Sequence, residues 1–533
     1  MFARSCARCT GRTRAGAISR PRIPSATRTQ CRRYSSSQGP TPAAAKAGGA
    51  APDILAPFVT ELDRLSPYFD IQGDQVEIIQ TPAEFYGTLK DRIRNAKKRI
   101  FLSTLYIGKK ELELITTLRD ALRQNPNLKL SILTDALRGT REAPRASCAS
   151  LLAPLVDEFG EDRVEIRMYH TPNLTGLRKK IVPKRINEGW GLQHMKLYGV
   201  DDEIIMSGAN LSDDYFTNRQ DRYHLFSSAE ITGHFWRIHE AVSNFSFKVT
   251  PSNEQPSGFT LDWPATNTAP SPLTEPKAFV ESTTATLKPL IQPTAGAVKG
   301  TTQVADTRVY MLAQMSQVMK PDVSTELPSI THILKTLAEP TYRDSSWTFT
   351  AGYFNPAPSL TKLLLNTASS ARTNTVITAA PEANGFYKSP GVSGLLPDAY
   401  TLLARRFLTA VQSNGRANDI SLKEWRKGTV GQPGGWTYHA KGLWVTLPGD
   451  VNPAMCIVGS SNYTKRSYSL DLEVGALVVT RSEQLKKRLG EEQRWLQDHT
   501  KAVTQDDFAR NDRRVGMHVR IAMWIVRAVG GQL

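Results

Sequence analysis

The chain has 533 residues, 40% of them apolar and 22% charged, enough for two ordinary domains or one large duplicated one. No run approaches the roughly eighteen uninterrupted apolar residues that a membrane-spanning helix needs, which excludes an obvious span. The formal charge of +17 is unevenly placed: residues 1–34 hold nine arginines and no acid, and the first carboxylate is Asp53.

An Arg-rich, Ser-rich, acid-free start is the composition of a mitochondrial presequence, so residues 1–34 are expected to be a transit peptide cut near Arg32-Arg33-Tyr34-Ser35. Without those arginines the chain is mildly basic, which suits an anionic membrane or a phosphate-rich substrate. Cys6, Cys9 and Cys31 fall in the same stretch, and Cys148 and Cys456 are too few for a disulfide framework. Nothing downstream completes a zinc site with Cys6 and Cys9, so no metal is expected.

Residues 35–54 form a low-complexity spacer, and 55–249 are predicted to be an α/β half. Within it, 99–108 (RIFLSTLYIG) reads as a buried strand, 110–124 as an amphipathic helix and 128–136 as a second strand. The segment 133–142 (LTDALRGTRE) places Arg138 and Arg141 just beyond that strand, where a guanidinium fork matches a phosphate. Residues 173–196 mix Arg178, Lys179, Lys180, Lys184 and Arg185 with Leu177, Ile181, Val182 and Trp190, a pattern suited to an anionic bilayer surface. His234 and His239 lack companions at ligand spacing and read as structural. Residues 250–305, broken by Pro, Ser and Thr, read as a linker. A second half, 306–505, repeats the order: strand 345–355, helix 358–368, strand 373–380. The tail 506–533 is predicted to be a basic amphipathic helix with Val515, Val519, Ala522 and Val526 on one face, lying on a membrane or docking on the core. Strand–helix–strand repeats imply two similar mixed sheets flanked by helices.

Each half reaches a histidine motif. The first is Gln193-His194-Met195-Lys196-Leu197-Tyr198-Gly199-Val200-Asp201, the second Tyr438-His439-Ala440-Lys441-Gly442-Leu443-Trp444-Val445. Residues two apart on a strand share a face, so each histidine carries a lysine beside it, the arrangement phosphoryl transfer needs. A small-residue run follows each motif and ends in Asn210 or Asn462 (Ser207-Gly208-Ala209-Asn210, Gly459-Ser460-Ser461-Asn462), whose amide suits a phosphate oxygen. Eleven residues beyond each Asn stands an acid, Asp221 or Glu473, placed to fix a histidine tautomer.

Two copies of His-x-Lys-x4-Asp with a trailing Gly/Ser-x-Asn segment resemble the phospholipase D superfamily. More narrowly, GLQHMKLYGVDD, SGANLSDDYFTNRQDRY, LTDALRGTRE, APEANGFYKSPGVSG and YHAKGLWV are similar to the mitochondrial phosphatidylglycerophosphate synthase family, from about residue 55 onward. One departure is plain: Thr446 stands where the second motif's acid belongs. The resemblance implies a pseudo-twofold fold with one active site between the halves. It implies transfer of a phosphatidyl group from CDP-diacylglycerol to glycerol 3-phosphate, without cofactor or metal, by a peripheral enzyme on the matrix side of the mitochondrial inner membrane. His194 would then be the nucleophile and His439 the acid and base. Lys196, Lys441, Asn210, Asn462 and Ser460 would hold phosphate oxygens, Asp201 would complete the first catalytic set, and Arg138 or Arg141 would hold the acceptor's phosphate. A cardiolipin or phosphatidylserine synthase differs only in acceptor. A nucleic-acid phosphodiesterase would use the same histidines, but no aromatic and basic stripe suited to stacking bases accompanies them.

Overall fold

The expected strand–helix–strand runs are present with their ends trimmed. In a computed structural model that describes residues 53–184, 186–293, 305–367 and 372–528, strands Arg99–Ser103 and Lys129–Asp135 run parallel around helix Leu112–Gln124. Strands Ser346–Ala351 and Asn374–Ala379 do the same around helix Pro358–Thr367. The expected transit peptide and most of the spacer lie outside the described residues.

Two nine-stranded mixed sheets result. In the first the spatial order is Phe259–Asp262, Phe247–Pro251, Val164–Tyr169, Lys129–Asp135, Arg99–Ser103, Leu197–Val200, Glu203–Ser207, Tyr223–Ser227, Val76–Ile79. In the second it is Thr500–Ala502, Ile420–Trp425, Asn374–Ala379, Ser346–Ala351, Lys441–Thr446, Met455–Gly459, Glu473–Thr480, Thr307–Gln314, Tyr68–Ile71. From Val164–Tyr169 to Val76–Ile79, and from Ile420–Trp425 to Thr307–Gln314, the orders and directions match strand for strand. Alternation along each strand splits its side chains between layers: Phe101 joins a central cluster shared by both sheets, while Ile100 and Leu102 face the helices outside the first.

Three boundaries differ from the sequence expectation. Helix Ala56–Leu65 and strand Tyr68–Ile71 sit early in the chain but serve the second half, the strand pairing antiparallel with Thr307–Gln314. The segment read as a linker, 250–305, holds the second strand of an edge hairpin (Phe259–Asp262) and helix Pro276–Ile291. That helix buries Phe279, Val280, Leu287 and Ile291 in the central cluster. Its proline at the first turn is compatible with a helix, so the Pro-rich composition concealed a core element. The tail is a short helix Gln505–Ala509, then a helix Met517–Ala528 packed on Leu396–Ser413. Among its described side chains Val519 is buried, while Met517, Ile521 and Trp524 are exposed on the opposite side; the side chain of Val526 lies outside the described ones.

Candidate active site

Each histidine stands just before a strand that opens with its own lysine's neighbourhood, and each is held by the opposite half. The backbone N–H of His194 donates to Leu472 O at 2.9 Å, and that of His439 donates to Gln220 O at 2.8 Å. These bonds bring in the next residue along, Glu473 and Asp221. His194 Nδ1 lies 2.9 Å from Glu473 Oε1, and His439 Nδ1 lies 2.7 Å from Asp221 Oδ2. The carboxylates are therefore exchanged: each half's histidine is oriented by the other half's acid. With Nδ1–H donating to a carboxylate, Nε2 is the nitrogen left to react.

Lys196 Nζ donates to His194 O at 2.7 Å; Lys441 Nζ donates to His439 O at 2.9 Å and also lies 2.7 Å from Nδ1 and 3.2 Å from Nε2 of the His439 ring, with Asp221 3.8 Å away. Gly208 makes room for this set, because a Cβ there would meet Asp221 Oδ1 at 2.7 Å and Lys441 Nζ at 2.9 Å. The small residues of that run thus accommodate the acid and the ammonium. Burial sets the electrostatics. It lowers Lys196 to about 7 and Lys441 to about 8, and raises Glu473 to about 7. It also holds both imidazoles well below their usual range, with Lys196 beside His194 and Lys441, then Arg219, beside His439 adding to it.

The other expected residues divide. Asn210 Nδ2 donates to Tyr215 Oη at 3.2 Å, and that hydroxyl lies 3.3 Å from His439 Nε2. Asn462 keeps a buried side-chain oxygen with no partner among the described residues. The Ser460 hydroxyl is spent on the Val474 backbone at 3.1 Å. Arg138 lies 4.1 Å over the Tyr106 ring, bonds Glu142 at 3.3 Å, and lines a cavity of about 340 Å³ with Lys109, Lys110 and Ser212. Arg141 is paired with Glu188.

Asp201 is a correction. It sits at the far end of strand Leu197–Val200 with φ 52°, and its carboxylate accepts from the backbone N–H groups of Lys97 (2.8 Å), Lys98 (2.7 Å) and Arg99 (3.1 Å). It ties a turn to the preceding loop and does not reach the histidines. Asp201→Ala should cost about 1–2 kcal/mol through the left-handed backbone and the lost bonds, and leave most of the turnover. Thermal melts and rates on the same preparation check this; a large rate loss at unchanged stability would return Asp201 to the chemistry.

Sequence reasoning missed the residues that surround His439. Tyr215 and Tyr353 meet its ring edge-on, both at 5.2 Å between centroids, and Arg219 lies 4.4 Å over Tyr215. It also missed Arg222, buried behind Asp221. Arg222 bonds Glu492 at 2.9 and 2.8 Å, Lys441 O at 2.9 Å and Ile457 O at 2.6 Å, tying the halves together. His224, Cys456 and Glu492 stand at metal-ligand spacing, but the Arg222 guanidinium already occupies Cys456 (2.8 Å) and Glu492. The signal for Tyr215 and Arg219 was available: laid over the second half from Asn to acid, they fall on Ser467 and Asp471, so the duplicated segments differ where the site is specialised.

The chain is 44% identical over 471 residues to the Saccharomyces cerevisiae CDP-diacylglycerol–glycerol-3-phosphate 3-phosphatidyltransferase, covering 87% of this chain and 89% of that one. It belongs to that enzyme family. The Schizosaccharomyces pombe member is 42% identical over 85% of this chain and 95% of its own, and the human mitochondrial member 34% over 87% and 84%. No protein-family model matches the chain. Among solved structures, the phosphatidylserine synthase of Haemophilus influenzae Rd KW20 has the same fold, with a TM-score of 0.66 at 20% identity over 90% of this chain and 98% of that one. As a CDP-diacylglycerol–glycerol-3-phosphate 3-phosphatidyltransferase, the protein moves a phosphatidyl group from CDP-diacylglycerol to glycerol 3-phosphate and releases CMP.

Proposed function

We propose that the transfer runs through two displacements at phosphorus with a phosphatidyl-histidine between them. The exchanged carboxylates carry this reading, because they leave two Nε2 atoms, one from each half, to act on one phosphate. His194 Nε2 attacks the diacylglycerol-linked phosphorus, the bond to the CMP oxygen breaks, and His439, protonated once the negative phosphates of the bound donor offset the lowering by burial and Lys441, gives that oxygen its proton. Neutral His439 then takes the proton of a glycerol 3-phosphate hydroxyl, whose oxygen attacks phosphorus and expels His194. Nε2 of His439 has Lys441 Nζ at 3.2 Å and the Tyr215 hydroxyl at 3.3 Å, whereas among the described residues no side chain bonds Nε2 of His194, which supports the division of roles. Lys196 and Lys441 offset the charge on the phosphate oxygens. A phosphate that brings negative charge stabilises their ammonium forms against the lowering by burial. Asn462 supplies an amide, its unpartnered oxygen and its nitrogen being interchangeable by a flip. A donor chiral at phosphorus tests the sequence of steps: retention is expected, and inversion would rule out the covalent intermediate.

We further place the enzyme at the matrix side of the mitochondrial inner membrane as a peripheral protein. Its chicken and human relatives are named mitochondrial, and no helix among the described residues is long and apolar enough to cross a membrane. Exposed Leu177 and Ile181 stand among Arg178 and Lys180 on the short helix Gly176–Ile181, and Met517, Ile521 and Trp524 stand beside Arg520 on the last helix. Apolar side chains flanked by cations fit an anionic headgroup layer. Changing Met517, Ile521 and Trp524 together to Ser should remove about 3 kcal/mol, on the order of a 100-fold weaker partition onto cardiolipin-containing vesicles. Sedimentation with such vesicles measures it; unchanged partition would place this face away from the bilayer.

A further inference from the structure

The two halves match strand for strand, yet the site they build is lopsided. Nine residues past its Asn the first half has Arg219, where the second has Asp471; five residues past, Tyr215 faces Ser467. Each half carries an ion pair at these positions with the signs exchanged: Arg466 meets Asp471 at 3.2 Å, and Asp471 also accepts from Leu192 N at 3.1 Å, while in the first half Asp214 meets Arg219 at 2.6 Å. On the His439 side Arg219 is mostly buried and aimed by three contacts. Its Nε donates to Thr437 Oγ1 at 3.0 Å, its Nη2 meets Asp214 at 2.6 Å, and its plane lies 4.4 Å over Tyr215. Among the described residues Nη1 has no partner. Gly385 packs against the guanidinium: a Cβ there would stand 2.7 Å from Nη2 and 3.2 Å from the Tyr353 hydroxyl, so a larger residue would displace the arginine.

In a double displacement the group that leaves and the group that enters use the same side of the phosphorus, opposite the nucleophile and beside the acid–base histidine. Here both are phosphate monoesters: CMP leaves and glycerol 3-phosphate enters. We propose that Arg219 is the anchor for the phosphomonoester these two molecules share, holding CMP as it departs and glycerol 3-phosphate as it attacks. This rests on the reading of His439 as the acid and base. With Nε on Thr437 and Nη2 on Asp214, Nη1 is left to donate to a phosphate oxygen, and stacking on Tyr215 fixes the guanidinium plane so that little freedom is lost on binding. Because the arginine of this exchanged pair stands at the later position only in the first half, stacked on the Tyr215 that meets His439, the pseudo-twofold site gains a polar, nucleotide-and-acceptor end there and leaves the His194 end for the lipid-linked phosphorus.

The test uses the full-length enzyme on mixed vesicles with Arg219→Gln and Arg219→Lys. A lost charge-assisted bond predicts that Arg219→Gln raises the KM for glycerol 3-phosphate and the Ki of added CMP together, by about 10- to 100-fold, with a smaller change in kcat. Arg219→Lys, which keeps the charge and loses the fork, should show the same paired shift at reduced size, and it serves if the Gln variant fails to fold. A fall in kcat with both constants unchanged would make Arg219 a structural residue and overturn the proposal. A raised KM with an unchanged CMP Ki would overturn the shared anchor. These constants are read independently of configuration at phosphorus, so a failure here is distinct from failure of the two-displacement route.

Discussion

His194→Ala is expected to form no phosphatidyl-enzyme, whereas His439→Ala still forms one from a donor whose leaving group needs no proton. With CDP-diacylglycerol itself, turnover should fall by about 10⁴-fold or more in either variant, because groups that act as a unit lose most of the rate when one is removed. Quenching in alkali, where a phosphohistidine survives though the acyl esters do not, and locating a label carried on the donor's phosphatidyl phosphorus by peptide mapping decides the matter. A lipid adduct on His439 in the His194→Ala protein would reverse the assignment. The exchange of carboxylates gives a second form of the same test. Glu473→Gln should resemble a His194 lesion although it lies in the other half of the sequence, and Asp221→Asn a His439 lesion, because each amide fixes the wrong tautomer of the imidazole it faces.

Glu492→Ala should be the most destabilising single substitution away from the chemistry. Glu492 and Arg222 are both 1% exposed, and Trp444 Nε1 also donates to Glu492 at 3.0 Å, so removing the carboxylate strands a guanidinium in the core. Breaking such a pair typically costs about 3–5 kcal/mol. The pH dependence follows from the sign of the shift. Burial alone would raise the Glu492 carboxyl, but Arg222 and then His224 outweigh it and hold it well below its ordinary value. Its stabilisation is therefore complete above the unfolded value of about 4.3 and is lost as pH falls through the folded one. Denaturant titrations of Glu492→Ala and wild type should differ by a constant amount at neutral pH and converge only in strong acid. Equal midpoints at pH 7 would mean that the pair contributes no net stability.

How much of this was legible in the sequence depended on range. The His–Lys pairs were, because a two-residue strand period is a local rule, and the duplication made His194 and His439 mutually supporting. The acids Asp221 and Glu473 were found by spacing, but their partners were not, since which imidazole an acid meets is decided by pairing between segments more than 200 residues apart in sequence. Asp201 misled for a related reason: its place in the motif says nothing of the three amide groups that the turn delivers to it. The last helix shows a limit of amphipathic patterns. Val519 lies on the face that sequence singled out, and the neighbouring helix Leu396–Ser413 covers it, which turns Met517, Ile521 and Trp524 to solvent.

The exchanged acids also bear on when the protein becomes dangerous to its own substrate. A chain in which one half has folded ahead of the other carries a histidine with no carboxylate to set its tautomer and no second imidazole to protonate CMP. On the proposed mechanism, such a half lacks the second histidine that the transfer needs while the rest of the polypeptide is still folding. A fragment released by a protease is in the same position: each half alone lacks the acid that its histidine bonds, and the backbone bonds from His194 to Leu472 and from His439 to Gln220 bring that acid in.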